Sequence, residues 1–165
     1  MEPSRDVLVL DTRTTPLPRA MLDAYHADLR AWIRDLCRAA GRGPGLGLID
    51  ALYPVTSEPG AFVRWDAIGP HAMLRRQYQL SHDAIAILLI CAAPRMWGPF
   101  AHVYAGVTGR VTLDEHVLAR LLGDRRAVLR ELSSTAPLLT YRLVTRRPTG
   151  EIVASSEVLC RLTGN

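Results

Sequence analysis

The chain has 165 residues and a mass of 18.2 kDa, which fits one domain, because two would leave each half near the lower limit for an independent core. Its 48% hydrophobic and 22% charged residues are typical of folded proteins and exclude the charge-rich composition of a disordered chain. The net charge of +4 comes from 20 basic residues, all arginine, against 16 acids. We therefore predict a single folded domain over residues 1–165.

The arginines are scattered, and only three adjacent pairs occur, at 75–76, 125–126 and 146–147. No basic run of the kind that follows a DNA backbone is present. An excess of four charges leaves open a small anionic ligand, an acidic partner or no particular partner. Nucleic-acid binding ranks last among the functions considered.

The cysteines and the apolar segments indicate in which compartment of the cell the protein is expected. Cys37, Cys91 and Cys160 are far apart in apolar surroundings, which predicts reduced core thiols in a reducing compartment. Residues 1–6 contain two acids and a proline without a following apolar segment, so no secretory signal is expected. The longest apolar run, 84–93, is far shorter than the roughly 20 residues that cross a bilayer. We expect a cytoplasmic protein that does not enter membranes.

The first third of the chain predicts one long helix. Apolar residues recur at spacings of three and four over 18–40, and glycines at 41–47 end the pattern. The stretch 42–47 formally fits the R-x-x-G-x-G pattern of acetyl-coenzyme A loops, which require a strand before and a helix after. Here a helix precedes and a strand is predicted over 46–53, so we interpret the glycines as a C-cap and turn.

The middle of the chain predicts strands. Segment 61–65 is short and apolar, 71–80 alternates with the period of a strand, and 84–92 is a short run rich in Ile and Leu. The turn at 81–83 would join the last two as a hairpin. Segment 100–107 is predicted to be another strand or an irregular flap.

The last third predicts two helices and a second hairpin. Thr112 and Glu115 have the spacing of a capping box before an apolar stripe at 117–122, and a shorter helix is predicted over 127–132. Strands over 138–146 and 152–162 would flank a turn at 147–150. With Arg146 facing Glu151, this register predicts Arg142 opposite Ser155. The order of elements predicts an α+β domain on an antiparallel sheet.

Familiar catalytic motifs are absent. The sequence has no G-x-S-x-G, no C-x-x-C, no H-E-x-x-H and no phosphate loop that would need a lysine, and its five histidines are isolated, so no metal site is expected. The predicted register puts Arg142 and Glu157 on one strand face. They form either an exposed pair worth less than about 1 kcal/mol or part of a cavity in which the Arg holds an anion and the Glu exchanges a proton. One of Arg75 and Arg76 would point inward and need an anion.

The segment Met73-Leu74-Arg75-Arg76-Gln77-Tyr78-Gln79-Leu80, a partner strand ending at Pro94, the helix around 118–122 and the closing Tyr141-Arg142, Gly150 and Ser156-Glu157 resemble the chorismate pyruvate-lyase (4-hydroxybenzoate synthase) family. The resemblance implies a single antiparallel sheet of about six strands with flanking helices that enclose the product, and no cofactor. It also implies that Arg75, or Arg76 if the register slips, binds a substrate carboxylate. Glu157 would take part in the proton chemistry.

The resulting functional hypothesis is a lyase. It would act on chorismate or a related small carboxylic acid and eliminate pyruvate to give a hydroxybenzoate, with Arg75 and Arg142 as anchors and Glu157 as the proton carrier. The expected partner is a small anionic substrate, without metal, nucleic acid or membrane, and the oligomeric state is left open. The alternatives are a non-catalytic small-ligand-binding protein of the same fold and a cyclase or isomerase of a biosynthetic cluster. A regulator of that fold would carry a separate DNA-binding winged helix, for which the chain has no room.

Overall fold

The computed structural model describes residues 17–41, 43, 45–54 and 56–164, of which 68% are helical. The helices are α1 (Arg19–Ala40), α2 (Leu46–Leu52), a 3-10 helix (Ala61–Arg64), α3 (Trp65–Ile68), α4 (Pro70–Tyr78), α5 (His82–Met96), α6 (Pro99–Thr108), α7 (Glu115–Leu122), α8 (Arg125–Glu131), α9 (Pro137–Thr140) and α10 (Ser156–Thr163). The strands are β1 (Val144–Arg146) and β2 (Ile152–Ala154), which form one antiparallel pair. The expectation that residues 1–6 are not part of a secretory signal concerns residues outside the described ranges.

The predicted six-stranded sheet is wrong, and α5 gives the clearest physical reason. Residues 84–92, for which the sequence predicts a buried strand, form the middle of this 15-residue helix, and nearly all of them are buried. A helix buried on every side is apolar all round, so it shows no period of 3.6 and resembles a core strand in sequence. Ser81 begins the helix, because its Oγ accepts a hydrogen bond from Ala84 N at 3.0 Å.

The other strands predicted before residue 110 are also helices. Segment 46–53 contains α2, 61–65 is mainly the 3-10 helix, 71–80 is mostly α4 and 100–107 lies within α6. In α4 the buried side chains are those of His71, Ala72 and Leu74, a helical spacing that the alternating polar residues concealed. Pro70 at the first turn and Gln79 in a left-handed conformation delimit that helix.

Three predicted helices are confirmed with small shifts of their ends. Helix α1 follows the predicted 18–40, α7 buries the predicted stripe of Val117, Leu118 and Leu121, and α8 matches the predicted 127–132 within two residues. The helix cap of α7 is Asp114 and not Thr112. Cys37 and Cys91 are buried as predicted, whereas Cys160 is exposed.

The core is arranged around α5, which contacts α6, α7, α8, α10 and β2, while α1 packs across α2, α6, α7 and the 3-10 helix. Burial removes apolar side chains from water on all faces of α5, and this is the main source of stability for such a helix. No helix among the described residues has the length and apolar character required to cross a membrane.

The closing hairpin is in the predicted place, but its strands are shorter and its register differs by one residue. Arg146 pairs with Ile152, and Val144 pairs with Ala154. Strand β2 stops at Ala154 because Ser155 begins α10, with its Oγ accepting from Val158 N at 3.2 Å. The predicted strand face shared by Arg142 and Glu157 therefore does not exist.

The second half of the fold has a recognisable order. Helix α6 leads through an irregular segment at 109–114 to α7, a two-residue turn, α8, the short α9 and the hairpin. Ile152 N donates to Leu113 O at 2.8 Å, so one backbone hydrogen bond connects the segment before α7 to the hairpin. Helix α7, the turn and α8 have the order of elements of a helix-turn-helix, and the hairpin follows after α9.

Two polar clusters secure α1 to the helices that follow it. Asp28, which is 4% exposed, accepts hydrogen bonds from Ser57 Oγ (2.5 Å), Trp65 Nε1 (2.7 Å) and Arg64 Nη2 (2.8 Å). The Arg30 guanidinium lies between the rings of Tyr53 and Trp97, 4.6 and 5.0 Å from their centroids. We call the first group the Asp28 cluster, and it connects α1 to the loop and short helices at 57–65.

Candidate nucleic-acid interface

The helix-turn-helix is formed by α7 and α8, and two aspartates define where these helices begin. Asp114 Oδ1 accepts from His116 N (3.0 Å) and Val117 N (3.1 Å), and Asp124 Oδ1 accepts from Ala127 N (3.0 Å). Burial alone would raise the pKa of Asp114, but hydrogen bonds from Arg110, Val117 and His116 outweigh it and hold the pKa below its usual value.

The turn between the helices consists of Gly123 and Asp124. Gly123 has a φ of 70°, in the left-handed region that glycine adopts without steric cost, and its N–H closes α7 by donating to Ala119 O at 2.9 Å. The chain can therefore leave α7 and begin α8 within two residues. This tight turn holds the two helices against each other.

Helix α8 presents one face to the core and another to solvent. Ala127 and Val128 are buried, whereas Arg125, Arg126 and Leu129 are exposed, Leu129 to 44%. Among the residues that the structure describes, Arg125 and Arg126 have no hydrogen-bond or ion-pair partner. Both guanidinium groups are thus free to bind an external anion.

Positive charge is concentrated in this part of the chain. Residues 110–151 contain eight of the 20 arginines and five of the 16 acids, which is +3 of the total +4. The sequence shows these arginines as scattered singles and pairs. Folding collects them on the helix-turn-helix and the hairpin that follows it.

The hairpin is joined to the helix-turn-helix through Arg146. Its Nη2 lies 2.7 Å from Glu115 Oε1 at the start of α7 and donates to Leu132 O, just after α8, at 3.3 Å. Glu115 also lines a small groove with Arg125 and Leu129. The turn end of the hairpin is therefore linked, through Arg146 and Glu115, to the groove beside the exposed face of α8.

The residues predicted for the lyase site are not gathered in one cavity. Arg75 Nη2 is 3.1 Å from His82 Nε2, exposed Arg76 donates to Ala67 O at 3.2 Å, and both lie on α4. Arg142 is exposed with a φ of 55° just before β1, and its guanidinium group has no polar partner among the described residues.

Glu157 lies in the first turn of α10, where its side chain is 60% exposed. It is 3.6 Å from Arg161, which in turn donates to Gln77 Oε1 on α4 at 2.9 Å. Helices α4 and α10 are thus neighbours, but Glu157 faces solvent beside an arginine instead of an enclosed substrate.

A buried Tyr–His–Asp chain has the appearance of a proton relay. Tyr25 Oη is 3.0 Å from His71 Nδ1, and His71 Nε2 is 3.1 Å from Asp66 Oδ1. Tyr25 is 0% and His71 1% exposed, and burial lowers the pKa of His71 in spite of Asp66. Because Tyr25 and His71 are both enclosed in the core, no substrate can reach them, and these hydrogen bonds stabilise the packing of α1 against α4.

Sequence reasoning missed the helix-turn-helix, although a signal was present. Gly123-Asp124 separates two short amphipathic segments, and a proline- and glycine-containing hairpin turn follows within 30 residues. Each element was predicted, but the sheet hypothesis assigned the hairpin to a sheet of about six strands and so concealed the combination of two helices and a hairpin. The described residues contain no group of three or more His, Cys, Asp or Glu placed to hold a metal ion.

The architecture thus contains a helix-turn-helix followed by a hairpin. A fold by itself does not establish a function. Comparison of the chain with models of known families, with curated proteins and with solved structures finds no match.

Proposed function

We propose that this chain binds double-stranded DNA through α8 and the hairpin. The observation that carries the proposal is the coincidence of the helix-turn-helix and hairpin with +3 of the +4 net charge. In helix-turn-helix proteins the second helix enters the major groove with its N-terminal residues against the base edges, and the first helix crosses the backbone. Helix α8 is the second helix here, and α7 is the first.

The side chains at the start of α8 suit this task. Arg125 and Arg126 are exposed without partners among the described residues, and a guanidinium group binds phosphate or the edge of guanine with two parallel hydrogen bonds. Leu129, one turn further along, offers an apolar contact of the kind made with the methyl group of thymine. Helix α8 therefore exposes two cationic side chains and one apolar side chain.

The hairpin would add contacts to the backbone. Arg147 at its turn is 61% exposed and only loosely paired, with Nη1 3.8 Å from Glu151 Oε1. Arg146 is already paired with Glu115 and Leu132 O, but its guanidinium group has five N–H donors and keeps some of them for a phosphate. Four arginines are available for DNA on α8 and the hairpin.

Four phosphate contacts predict weak and salt-sensitive binding. Each contact contributes about −0.9 to the slope of log K against log salt, so affinity should fall on the order of 10²-fold between 50 and 200 mM salt. The test is fluorescence anisotropy with a labelled duplex of mixed sequence at several salt concentrations. We expect saturable binding at 50 mM and a slope near −4, that is, about −0.9 for each of four contacts.

The R125A/R126A variant should bind more weakly and lower the magnitude of the salt slope by about 2, one unit for each lost phosphate contact. A matched control is R75A/R76A, which removes the same two charges from α4, outside the helix-turn-helix. The control should retain the slope of the unmodified chain. Equal losses in both variants, or no binding at 50 mM salt, would refute the proposal.

The lyase hypothesis is not carried forward, because Arg75, Arg142 and Glu157 lie at separate places on the surface or on different elements. A cytoplasmic location belongs to the present proposal, since access to DNA and reduced, buried thiols at Cys37 and Cys91 both favour it. Detection of pyruvate after incubation with chorismate would restore the lyase hypothesis.

A further inference from the structure

A cleft of about 280 Å³ lies between the C-terminal half of α5, α6, the irregular segment at 110–113 and the hairpin. The hydrogen bond from Ile152 N to Leu113 O joins two of its walls. Its volume is just below the roughly 300–1,000 Å³ range of ligand pockets, so it suits a compact molecule. The cleft includes no residue of α8, but it shares Arg147 with the proposed DNA contact of the hairpin.

The floor of the cleft is apolar. Cys91, Tyr104 and Ile152 line it and are at most 3% exposed. The hydroxyl of Tyr104 donates to Ile90 O at 2.9 Å, so this residue offers its ring and not a polar group. Such a floor favours a ligand with a flat or compact hydrocarbon body.

Three arginines from three different elements line the cleft, namely Arg95 on α5, Arg110 before α7 and Arg147 at the hairpin turn. Arg95 spends one N–H group on Ala154 O (2.6 Å), and Arg110 binds Asp114 through Nε and Nη2 (3.2 and 2.7 Å). A guanidinium carries five N–H donors, so each arginine keeps donors for a further acceptor.

The lining carries an excess of positive charge. Two of the three guanidinium groups have a carboxylate partner, Asp114 for Arg110 at 2.7 Å and Glu151 for Arg147 at 3.8 Å, the latter beyond hydrogen-bond distance. Arg95 has no ion-pair partner among the described residues. Like charges that line one concave surface repel each other, and an anion bound between them removes this cost. A carboxylate suits the fork of a guanidinium better than a monatomic ion does.

We propose that this cleft binds a small organic carboxylate. Its charged end would lie between Arg95 and Arg147, and its hydrocarbon body would rest on the apolar floor. The ligand would bridge α5 and the hairpin turn, and α5 is also connected to β2 of the same hairpin by the hydrogen bond from Arg95 to Ala154 O.

The test is calorimetric titration of the full chain with benzoate at constant ionic strength. We expect saturable binding, with benzyl alcohol, which has the same ring but no charge, at least about tenfold weaker because it lacks the carboxylate for the guanidinium groups. Inorganic phosphate should also bind at least about tenfold more weakly, because it cannot use the floor. Equal affinity for phosphate or benzyl alcohol would overturn the assignment of a carboxylate with an apolar body.

The variant R95A should weaken benzoate binding at least about tenfold. Its matched control is R120A, since Arg120 also donates to one backbone carbonyl, Ala40 O at 3.3 Å, but is not a lining residue of the cleft. R120A should bind benzoate as the unmodified chain does. An equal loss in both variants, or no binding up to millimolar benzoate, would refute the proposal.

A second readout covers the case in which R95A does not fold. Benzoate should shift the NMR signals of the Ile152 and Val117 methyl groups through its ring current, and the exposed hairpin-turn variant R147A should reduce the shift at a given benzoate concentration. Shifts confined to methyl groups elsewhere in the core would place the ligand at a different site and contradict the proposal.

Discussion

Replacing Asp28 with alanine should destabilise the protein by about 2–4 kcal/mol. The variant removes the acceptor of three donors, but these donors differ in exposure, since Trp65 is 3% exposed and the Arg64 side chain 58%. The buried indole N–H would lose a charge-assisted bond worth about 1.5–3 kcal/mol and keep its desolvation cost. The exposed guanidinium can bond to water instead, so it adds less than about 1 kcal/mol.

The assay is urea denaturation at pH 7, followed by tryptophan fluorescence and circular dichroism. Asp28 is ionised there, because hydrogen bonds from Ser57, Trp65 and Arg64 outweigh its burial and hold its pKa below the usual value. R64A is the matched control and should cost less than about 1 kcal/mol. If D28A and R64A differ by less than about 0.5 kcal/mol, the argument that the buried indole carries the cost is wrong.

Three further predictions concern α1 and its neighbours. Burial lowers the pKa of His71 below 6.5, so the unfolded chain binds a proton at a higher pH than the folded chain does. The free energy of unfolding should therefore fall as the pH drops from 6.5 toward the pKa of His71 in the folded state. In urea titrations, H71Q should lose this part of the pH dependence. G43A should lower the free energy of unfolding by on the order of 1–3 kcal/mol, because the added Cβ would overlap the backbone oxygen of Gly106. G98A is the control, since nothing lies within 4 Å of a Cβ added there, and it should not show this steric penalty. R30A should lose up to about 2 kcal/mol of stability, because it removes the contacts of the guanidinium group with two aromatic rings. R30K keeps the positive charge but not the planar guanidinium group, so it should recover only part of that stability. Equal thermal midpoints for R30A, R30K and the unmodified chain would contradict this prediction.

The site could be predicted only in pieces. The sequence shows the arginine pair at 125–126 and the second pair at 146–147, and it predicts the two helices and the hairpin turn beside them. Which arginines are unpaired depends on partners distant in sequence, such as Glu115 for Arg146 and Asp83 for Arg130. Those ion pairs exist only after packing, so a charge count along the chain could not separate free from engaged guanidinium groups.

The sequence by itself determined the elements that have one solvent-exposed face and one buried face. Helices α1, α7 and α8 keep a polar stripe, so the period of 3.6 is visible in their residues, and the hairpin turn is marked by Pro148 and Gly150. Tertiary structure decided the rest. Helix α5 is surrounded on all sides, which removes the periodic signal, and the register of the hairpin depends on where Ser155 begins α10. Burial from every side, which only the packed fold imposes, is the physical reason that a helical core was read as a sheet.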